Sequence, residues 1–333
     1  MQTINYDALL KNAEYFKSII GDSKLCAVVK NDAYGHGIER IARYLVDVVD
    51  CFAVGSAQEA EKISGLGKDI LILLPQHNES LLLALKLNCI ITVDSFETLE
   101  FLRYATEKQL CSARIHIKIN SGMSRLGFDE ADLNELLNKL SYCKSITIEG
   151  VYSHFWGDDI LECDKQFNVF MRCVKYMEES LKKPLVKHIA NTTGALLSSK
   201  YRLDMVRIGL GLYGYGDKNL SAVKKVTANV VAVRQVKKND VVGYGGKYVC
   251  NTDRTIAVIN VGYAQGLSRT LVNSKVLVAN KRLFPIVSIC MAMSMVDVTG
   301  ASVAVGDEIE LVGSGVNMSN NSIIIYEILC NLH

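Results

Sequence analysis

The feature that most constrains the fold is a repeat of eight short apolar runs, each followed by a segment long enough for a helix. The runs span residues 25–29, 52–54, 70–74, 89–93, 115–119, 146–151, 188–190 and 205–208. The clearest helical segments are 57–64, 80–87, 96–108, 130–140 and 165–181, after an opening amphipathic helix that contains Leu9, Ala13, Phe16 and Ile20. Eight such units predict an α/β fold with a closed parallel (β/α)8 barrel of TIM type, whose functional residues gather at the carboxyl ends of the strands.

After about residue 220 the pattern changes to alternating strands separated by short turns. These strands are predicted at 226–236, 241–249, 255–261, 275–279, 283–289, 294–298 and 308–312, with turns at 238–240, 280–281 and 306–307 and a last helix at 324–332. We therefore expect a barrel of residues 1–222 followed by a mostly antiparallel β domain of residues 223–333.

Composition excludes several classes of partner. The net charge is +2 with histidine neutral, and no block of Lys or Arg indicates binding to nucleic acid or to an anionic membrane. No apolar run reaches the length of a membrane span and the first residues lack a signal-peptide pattern, so we expect a cytoplasmic protein with a small-molecule partner. The ten cysteines form no CxxC pair and no zinc-like cluster, which predicts reduced, buried thiols and no metal site.

The first barrel strand leads directly into a lysine. Lys30 follows four apolar residues, so its amine is expected at the edge of a low-dielectric interior that lowers the pKa and favours the nucleophilic form. Such an amine suits a Schiff base. Tyr34 adds a phenol, and Gly35 and Gly37 let the backbone approach a ligand closely. The alternative is an ordinary solvated lysine at a strand end.

The fifth strand has a polar face, on which Arg114, His116 and Lys118 alternate with three isoleucines. The isoleucines suit the helical layer, so the polar face is predicted to point into the barrel, where Lys118 needs a partner. Seven residues later, Arg125 has a guanidinium that can bind a substrate carboxylate through two hydrogen bonds. A salt bridge within the loop is the alternative role for Arg125.

The last three strands also end in polar residues. His154 follows the sixth strand, and Asn191 and Thr192 follow the seventh, where they either hold a phosphate or cap the next helix. Arg207 lies in the eighth strand, and Gly209 begins a GxGxxG pattern. A dinucleotide site is rejected because it requires a first βα unit and an acidic residue about 20 positions on, which residues 226–236 lack. The better interpretation is the phosphate site that barrels form after their last two strands.

Two tyrosines of the β domain lie between glycines. Tyr244 and Tyr263 stand in segments whose glycine content is unfavourable for a strand, which indicates close approach by another surface. Cys290 and Met291 follow another strand, and burial in the core is the default expectation for them.

These motifs occur together in a known family. The chain contains, in order, AVVKNDAYGHG, KINSGMSRLGF, SHF, HIANT, VRIGLGLYG, YGGKY, GYAQG and CM. Through nearly its whole length the sequence resembles alanine racemases, which are pyridoxal-phosphate enzymes with an eight-fold barrel and a C-terminal β domain. The resemblance implies a homodimeric isomerase whose active sites are shared between subunits, and which interconverts L- and D-alanine for peptidoglycan precursors.

The resemblance also implies residue roles. Lys30 and Tyr244 of the partner subunit would be two bases on opposite faces of the cofactor, with His154 beside Tyr244 and Arg207 facing the ring nitrogen. The positions that match cofactor-binding residues are Lys30, Tyr34, His154, Asn191, Thr192, Arg207, Gly209 and Tyr326. Substrate contacts match Arg125, Met291 and Lys118, the last of which is carbamylated in many relatives. A gate for substrate access matches Tyr263, Arg269 and Asp159.

Two departures from the family pattern concern this gate. Ala292 replaces a common aspartate and Ser288 replaces an arginine, which puts the tightness of the gate in doubt. The chain also ends at His333 without the family's basic tail, so we expect looser subunit packing. A serine or broad-specificity racemase is therefore the main alternative, and a non-catalytic pyridoxal-phosphate protein is a further one.

Overall fold

The computed structural model describes residues 1–278, 282–313 and 324–332. The chain divides into two compact units. The larger contains Leu9–Ala33 and Gly37–Leu220, and the smaller contains Met1–Ala8, Tyr34–His36 and Ser221–His333. Strand β1 (Gln2–Ile4) belongs to the smaller unit and was not predicted from the sequence, because three residues carry too little periodicity. The division at residues 222 and 223 stays a prediction.

The larger unit contains eight parallel strands that form a (β/α)8 barrel, as predicted. The strands are β2 (Lys24–Val28), β3 (Cys51–Val54), β4 (Asp69–Ile72), β5 (Ile90–Val93), β6 (Ala113–Lys118), β7 (Ile146–Tyr152), β8 (Val186–His188) and β9 (Met205–Ile208). Side chains on both faces of most of these strands are buried, which explains the continuous apolar runs. β9 pairs with β2, and backbone hydrogen bonds from Asp204 to Lys187 and from Arg207 to Ala190 close the ring.

One helix precedes the strands of the barrel and the others follow them. They are α1 (Tyr6–Ile19), the left-handed turn α2 (Lys30–Gly35), α3 (Ile38–Leu45), α4 (Ala57–Ile63), α5 (Asn78–Lys86), α6 (Phe96–Gln109), α7 (Leu133–Ser141), α8 (Ile160–Leu181) and α9 (Thr192–Leu197). N-cap serines fix where α4 and α6 begin, because Ser56 and Ser95 each accept a hydrogen bond from an amide of the first turn. Within the described residues, no helix is long and apolar enough to cross a membrane.

The smaller unit contains an antiparallel sheet with strand order β1-β10-β13-β16-β15-β14-β17, in which β17 also pairs with β10. Its other strands are β10 (Lys224–Val236), β13 (Arg254–Ile259), β14 (Lys275–Val278), β15 (Arg282–Ile289), β16 (Ser294–Asp297) and β17 (Glu308–Val312). A separate hairpin is formed by β11 (Val241–Val242) and β12 (Tyr248–Val249), and α10 (Ile325–Asn331) is the last helix. The predicted antiparallel β domain is confirmed.

One predicted strand of this unit is wrong. Residues 241–249 form a hairpin rather than one strand, because Gly243, Gly245 and Gly246 adopt positive φ angles of 80°, 74° and 61° between β11 and β12. Ala279 and the predicted turn at 280–281 lie outside the described residues.

Candidate active site

The carboxyl ends of the barrel strands carry the larger group of predicted site residues. Lys30 lies two residues after β2, Lys118 is the last residue of β6, His154 lies two residues after β7, and Arg207 is in β9. Because these strands are parallel, their carboxyl ends meet at one face of the barrel. The barrel therefore presents two lysines, a histidine and an arginine on this face.

The segment that begins at Lys30 has a backbone conformation that is rare for L-residues. Asn31, Asp32, Ala33 and Tyr34 have φ angles of 54°, 51°, 55° and 54°, and Gly35 follows at 73°. A left-handed turn costs roughly 1–2 kcal/mol for each such residue, because Cβ approaches the following carbonyl oxygen. Strain of this kind persists where the surrounding structure holds it and is frequent at functional sites.

Arg207 is 3% exposed and its guanidinium is held by hydrogen bonds within the barrel. Nη1 donates to Nδ1 of His188 at 2.6 Å, while Nη2 donates to the carbonyl oxygen of Ser153 at 2.6 Å and to Nδ1 of His154 at 3.2 Å. Nη2 also donates to the carbonyl oxygen of Ile189 at 3.2 Å. These contacts fix the plane of a cation that stays protonated at any ordinary pH.

The neighbouring histidines are neutral and their tautomers follow from the hydrogen bonds. Since an arginine only donates, Nδ1 of His188 and of His154 must accept. Nε2 of His188 then donates to Nδ1 of His116, 2.8 Å away. Burial, reinforced by the charge of Arg207, lowers the pKa of His116 to about 3 and holds the pKa of His154 and of His188 well below the usual value.

Lys118 faces the same buried region. It is 7% exposed, and its Nζ lies 4.7 Å from the ring centroid of Tyr152, while the Arg207 guanidinium lies 5.1 Å from the same centroid. Burial, then the charges of Arg207 and Arg125, lower the pKa of Lys118 to about 7. The charge of Lys30 also lowers the pKa of Lys118 and of His154. Lys30, Lys118, Arg125, His154 and Arg207 thus form one electrostatic cluster.

Arg125 is exposed on the loop after β6. Oδ1 of Asn120 accepts from the amides of Gly122 and Ser124, at 3.3 Å and 2.9 Å, and this turns the chain at the start of the loop. The Lys118 carbonyl accepts from the amide of Phe128 at 2.9 Å and closes the loop at its other end. Arg125 is therefore presented by a loop whose two ends are tied to β6.

The start of α9 contains two of the predicted cofactor residues. Asn191 is the N-cap, and its Oδ1 accepts from the amide of Gly194 at 2.9 Å, so the capping alternative holds for this side chain. Thr192 is buried and its Oγ1 accepts from the amide of Gly211 at 3.1 Å. Gly209 is buried just beyond β9. Amides and a hydroxyl thus cluster after the last two strands of the barrel.

Asp159, a predicted gate residue, is the N-cap of α8. Its Oδ1 accepts from the amides of Leu161 and Glu162, each at 3.0 Å. The carboxylate therefore stabilises the start of a 22-residue helix.

The smaller unit contains two tyrosines predicted to bind phosphate. The rings of Tyr34 and Tyr326 lie 5.7 Å apart, centroid to centroid. Burial and the proximity of Tyr326 raise the pKa of Tyr34, and burial raises that of Tyr326, so both phenols are neutral donors at pH 7. Lys224, which is 1% exposed, donates to the carbonyl oxygens of Gly35 at 3.2 Å and Leu329 at 2.8 Å and so joins the segments of the two tyrosines.

The remaining predicted residues of the smaller unit lie at its surface. Tyr244 is 84% exposed, Met291 61% and Tyr263 45%, and Arg269 is also exposed in a short 3-10 turn. The amide of Tyr263 donates to the Cys290 carbonyl at 3.0 Å, and the amide of Ala264 donates to the Met291 carbonyl at 2.9 Å. Core burial, the default expectation for Met291, is wrong because its side chain lies in a turn beyond β15.

Two residues with clear contacts to this site were not singled out from the sequence. Tyr152 stacks on the His188 ring at 4.8 Å and lies against the cations of Lys118 and Arg207. Glu59 accepts hydrogen bonds near Lys30, and its only sequence signal is the Ser-x-x-Glu pattern at residues 56–59, typical of a helix start. Residues 1–278, 282–313 and 324–332 contain no group of His, Cys, Asp and Glu that suits a metal ion.

Comparison with known proteins extends this picture to the whole chain. The family profiles described as "Alanine racemase, N-terminal domain" and "Alanine racemase, C-terminal domain" match residues 4–217 and 223–333. A protein named alanine racemase 1 from Caldanaerobacter subterraneus subsp. tengcongensis is 35% identical, over 93% of this chain and 84% of its own length.

Solved structures agree with the sequence comparison. Alanine racemase from a D-cycloserine-producing Streptomyces lavendulae superposes with a TM-score of 0.92 at 26% identity, over 100% of this chain and 94% of that one. Alanine racemase from Bartonella henselae with covalently bound pyridoxal phosphate has a TM-score of 0.88 at 27% identity, over 100% of this chain and 96% of that one. The two domain profiles match the two parts of the chain, and the solved structures superpose on the barrel and the β domain. The chain therefore belongs to the alanine racemase family.

Proposed function

We propose that this protein is a pyridoxal-phosphate-dependent enzyme that interconverts L-alanine and D-alanine, and that it works as a cytoplasmic homodimer supplying D-alanine for peptidoglycan. The observation that carries the proposal is the cluster of Lys30, Lys118, Arg125, His154 and Arg207 in a chain of the alanine racemase family.

The donor set fits the three reactive parts of pyridoxal phosphate. Lys30 offers an amine for the aldehyde, and Arg207 offers N–H groups to the ring nitrogen. Neutral donors suit the phosphate, and these are the hydroxyls of Tyr34, Thr192 and Tyr326 with the amides near Asn191 and Gly209. When bound, the cofactor supplies an electron-withdrawing ring that acidifies the α-hydrogen of an attached amino acid.

Two bases are needed because racemisation removes a proton on one face of the α-carbon and returns one on the other. Lys30 Nζ is proposed to serve one face and the phenol of the partner's Tyr244 the other. His154 is suited to stand beside that phenol, because its Nδ1 accepts from Arg207 and its Nε2 therefore carries a proton that can be donated.

Arg207 limits side reactions in this proposal. A guanidinium facing the ring nitrogen would donate to it and leave it unprotonated, which would make the ring a weaker electron sink. The neutral histidines support this role because they accept hydrogen bonds from Arg207 without adding a negative charge that would neutralise it.

The substrate carboxylate is proposed to bind Arg125 and the amide of Met291. Lys118 is proposed to carry a carbamate, whose negative charge would hold Arg125 in place. Tyr263, Arg269 and Asp159 are proposed to form the gate, with Ala292 and Ser288 widening it.

The decisive experiment combines a spectrum with an assay of racemisation. Cofactor-loaded protein should show a band at about 420 nm that is lost in Lys30→Ala, and should convert L-alanine to an equal mixture of enantiomers. Serine and lysine in the same assay test the broad-specificity alternative. A protein that binds the cofactor but leaves L-alanine unchanged would refute the proposed activity.

A further inference from the structure

The left-handed turn that begins at Lys30 donates a backbone hydrogen bond to a carboxylate of another element, the helix α4. Oε1 of Glu59, in α4, accepts from the amide of Asp32 at 3.2 Å, and Oε2 of the same carboxylate accepts from the amide of Gly55 at 2.8 Å. Hydrogen bonds to an ionised carboxylate are stronger than those to a neutral acceptor. One side chain therefore joins the segments that follow β2 and β3, the two strands next to Lys30.

Glu59 is itself held in place. It lies in the first turn of α4, where its amide donates to Oγ of the N-cap Ser56 at 3.3 Å. Ala57 and Ala60 on either side are fully buried, so the helix cannot rotate without losing core contacts. The Glu59 carboxylate bonds the amide of Gly55 rather than that of the N-cap, so it differs from an ordinary capping box.

Gly55 brings the carboxylate and the lysine together. A Cβ added at Gly55 would lie 3.2 Å from Glu59 Oε2 and 3.7 Å from Lys30 Cβ. Glu59 and Lys30 therefore both lie where a side chain of residue 55 would be, and a side chain at this position would crowd the carboxylate.

Besides local hydrogen bonds, the turn accepts two from elsewhere, because Nε2 of Gln2 and Nζ of Lys224 each donate to the carbonyl oxygen of its last residue, Gly35, at 3.2 Å. The Ala33 amide donates to the Val29 carbonyl at 2.8 Å, and the Ile38 amide donates to Oδ1 of Asp32 at 2.9 Å. Local bonds of this kind shape a turn but do not set its position relative to the next strand. Val29, just before the turn, donates to the Ala53 carbonyl of β3 at 2.8 Å, and the Glu59 carboxylate extends this link into the turn, because it accepts from the amide of Asp32 as well as from that of Gly55, the residue after β3.

We propose that Glu59 is a positioning residue for Lys30, which fixes the strained turn so that the lysine amine is held ready for the cofactor aldehyde. The inference rests on the proposed function of Lys30. It adds a residue that touches neither cofactor nor substrate and acts through the backbone of Asp32 and Gly55.

The test compares Glu59→Gln with Glu61→Gln, which changes an exposed glutamate of the same helix. Glutamine has almost the same shape but turns an N–H donor towards one of the two amides. We expect the holoenzyme of Glu59→Gln to lose pyridoxal phosphate at least about tenfold faster on dilution, since a loosened support commonly costs that much. Borohydride trapping followed by peptide mapping should show slower labelling of Lys30. Glu61→Gln should match the wild type in both measurements.

Measuring thermal unfolding distinguishes a positioning role of Glu59 from a general contribution of Glu59 to stability. A merely structural role predicts a lower melting temperature with unchanged cofactor loss and unchanged Lys30 labelling, and that result would overturn the inference.

Glu59→Asp keeps the charge but is one methylene shorter, so its rates of cofactor loss and of Lys30 labelling should lie between those of Glu59→Gln and wild type. It replaces Glu59→Gln if that variant does not fold. Wild type that forms no adduct at Lys30 would refute the proposed function and this inference together. Labelled wild type with an unchanged Glu59→Gln would refute the role of Glu59 alone.

Discussion

Arg207 is a buried cation whose hydrogen-bonded side chains are neutral imidazoles rather than carboxylates. His188 and His154 accept its hydrogen bonds, and His116 accepts from His188 in turn. A proton added to any of these rings would place a second positive charge in a buried region, which explains why burial and Arg207 lower all three histidine pKa values. The chain of hydrogen bonds thus holds Arg207 without neutralising it.

The lowered pKa values of these histidines predict how the free energy of unfolding depends on pH. Their folded pKa values lie below the unfolded value of about 6.5, so the unfolded state binds more protons once the pH falls under that value. The free energy of unfolding should therefore decrease with falling pH, by up to about 1.4 kcal/mol per pH unit for each histidine. Urea unfolding between about pH 7 and about pH 5 measures the slope.

The matched control uses an exposed histidine. His116→Gln should reduce the slope, whereas His77→Gln, at the exposed N-cap of α5, should leave it unchanged. Equal slopes in wild type and His116→Gln would contradict the assignment of a neutral buried ring.

Lys118 gives a second prediction for a single residue. Because burial and Arg207 lower its pKa to about 7, much of its amine is neutral and nucleophilic just above neutral pH. The amine nitrogen is expected to bond to the carbon of CO2 and release a proton to solvent, leaving a carbamate anion. Carbon-13 NMR in labelled bicarbonate should show this carbamate, and Lys118→Gln should lack it while Lys30→Ala retains it. A spectrum without a signal that depends on Lys118 would exclude the carbamate.

Among the elements, the start of α9 links local structure to the expected phosphate site. The Asn191 side chain caps the helix, and the Thr192 hydroxyl accepts a hydrogen bond from the amide of Gly211, which lies beyond β9. A short helix of six residues has little stability of its own, so these two contacts matter for its position.

Thr192→Val tests this link. The substitution keeps the shape but leaves the buried amide of Gly211 without its acceptor, which should cost about 1–3 kcal/mol of unfolding free energy. Thr192→Ser retains the hydroxyl and should stay close to wild type in stability and in affinity for pyridoxal phosphate. The role assigned to the hydroxyl is wrong if the valine and serine variants unfold at the same urea concentration.

On the scale of the whole molecule, the exposed Tyr244 is a candidate for a site completed by a second subunit. The residue is 84% exposed, although the proposal makes its phenol one of two bases. A group that must act in a dry active site is expected to be covered when the protein assembles. This is the physical argument for a shared site in a homodimer.

Mixed dimers test the shared site. Lys30→Ala and Tyr244→Phe should each be nearly inactive alone, because each lacks one base. If each site takes Lys30 from one subunit and Tyr244 from the other, half of the sites in a mixed dimer are intact, and random re-association should restore about a quarter of wild-type activity. Refolding the variants separately is the control. No recovery in a mixture that contains mixed dimers would place both bases in one subunit.

The sequence alone was sufficient to predict the architecture, which the structure confirms, and to propose the site residues. Eight apolar runs with β-branched residues favour buried parallel strands, and the strand ends are where polar residues such as Lys30 and Lys118 stand out against that pattern. Signals of this kind are local, so each can be recognised without knowing what lies beside it. The hairpin at residues 241–249 was missed because alternation outweighed the glycines.

Only the tertiary structure decided which side chains meet. His116 and His188 are 72 residues apart in sequence and 2.8 Å apart in space, Tyr152 of β7 lies against Arg207 of β9, and Glu59 contacts Asp32 across the paired strands β2 and β3. The pKa shifts follow from the same assembly, because burial and the charge of Arg207 exist only once the barrel has formed. Residue types and periodicity thus determined the fold and the kind of chemistry, while folding determined protonation, tautomer and the support of the strained turn at Lys30.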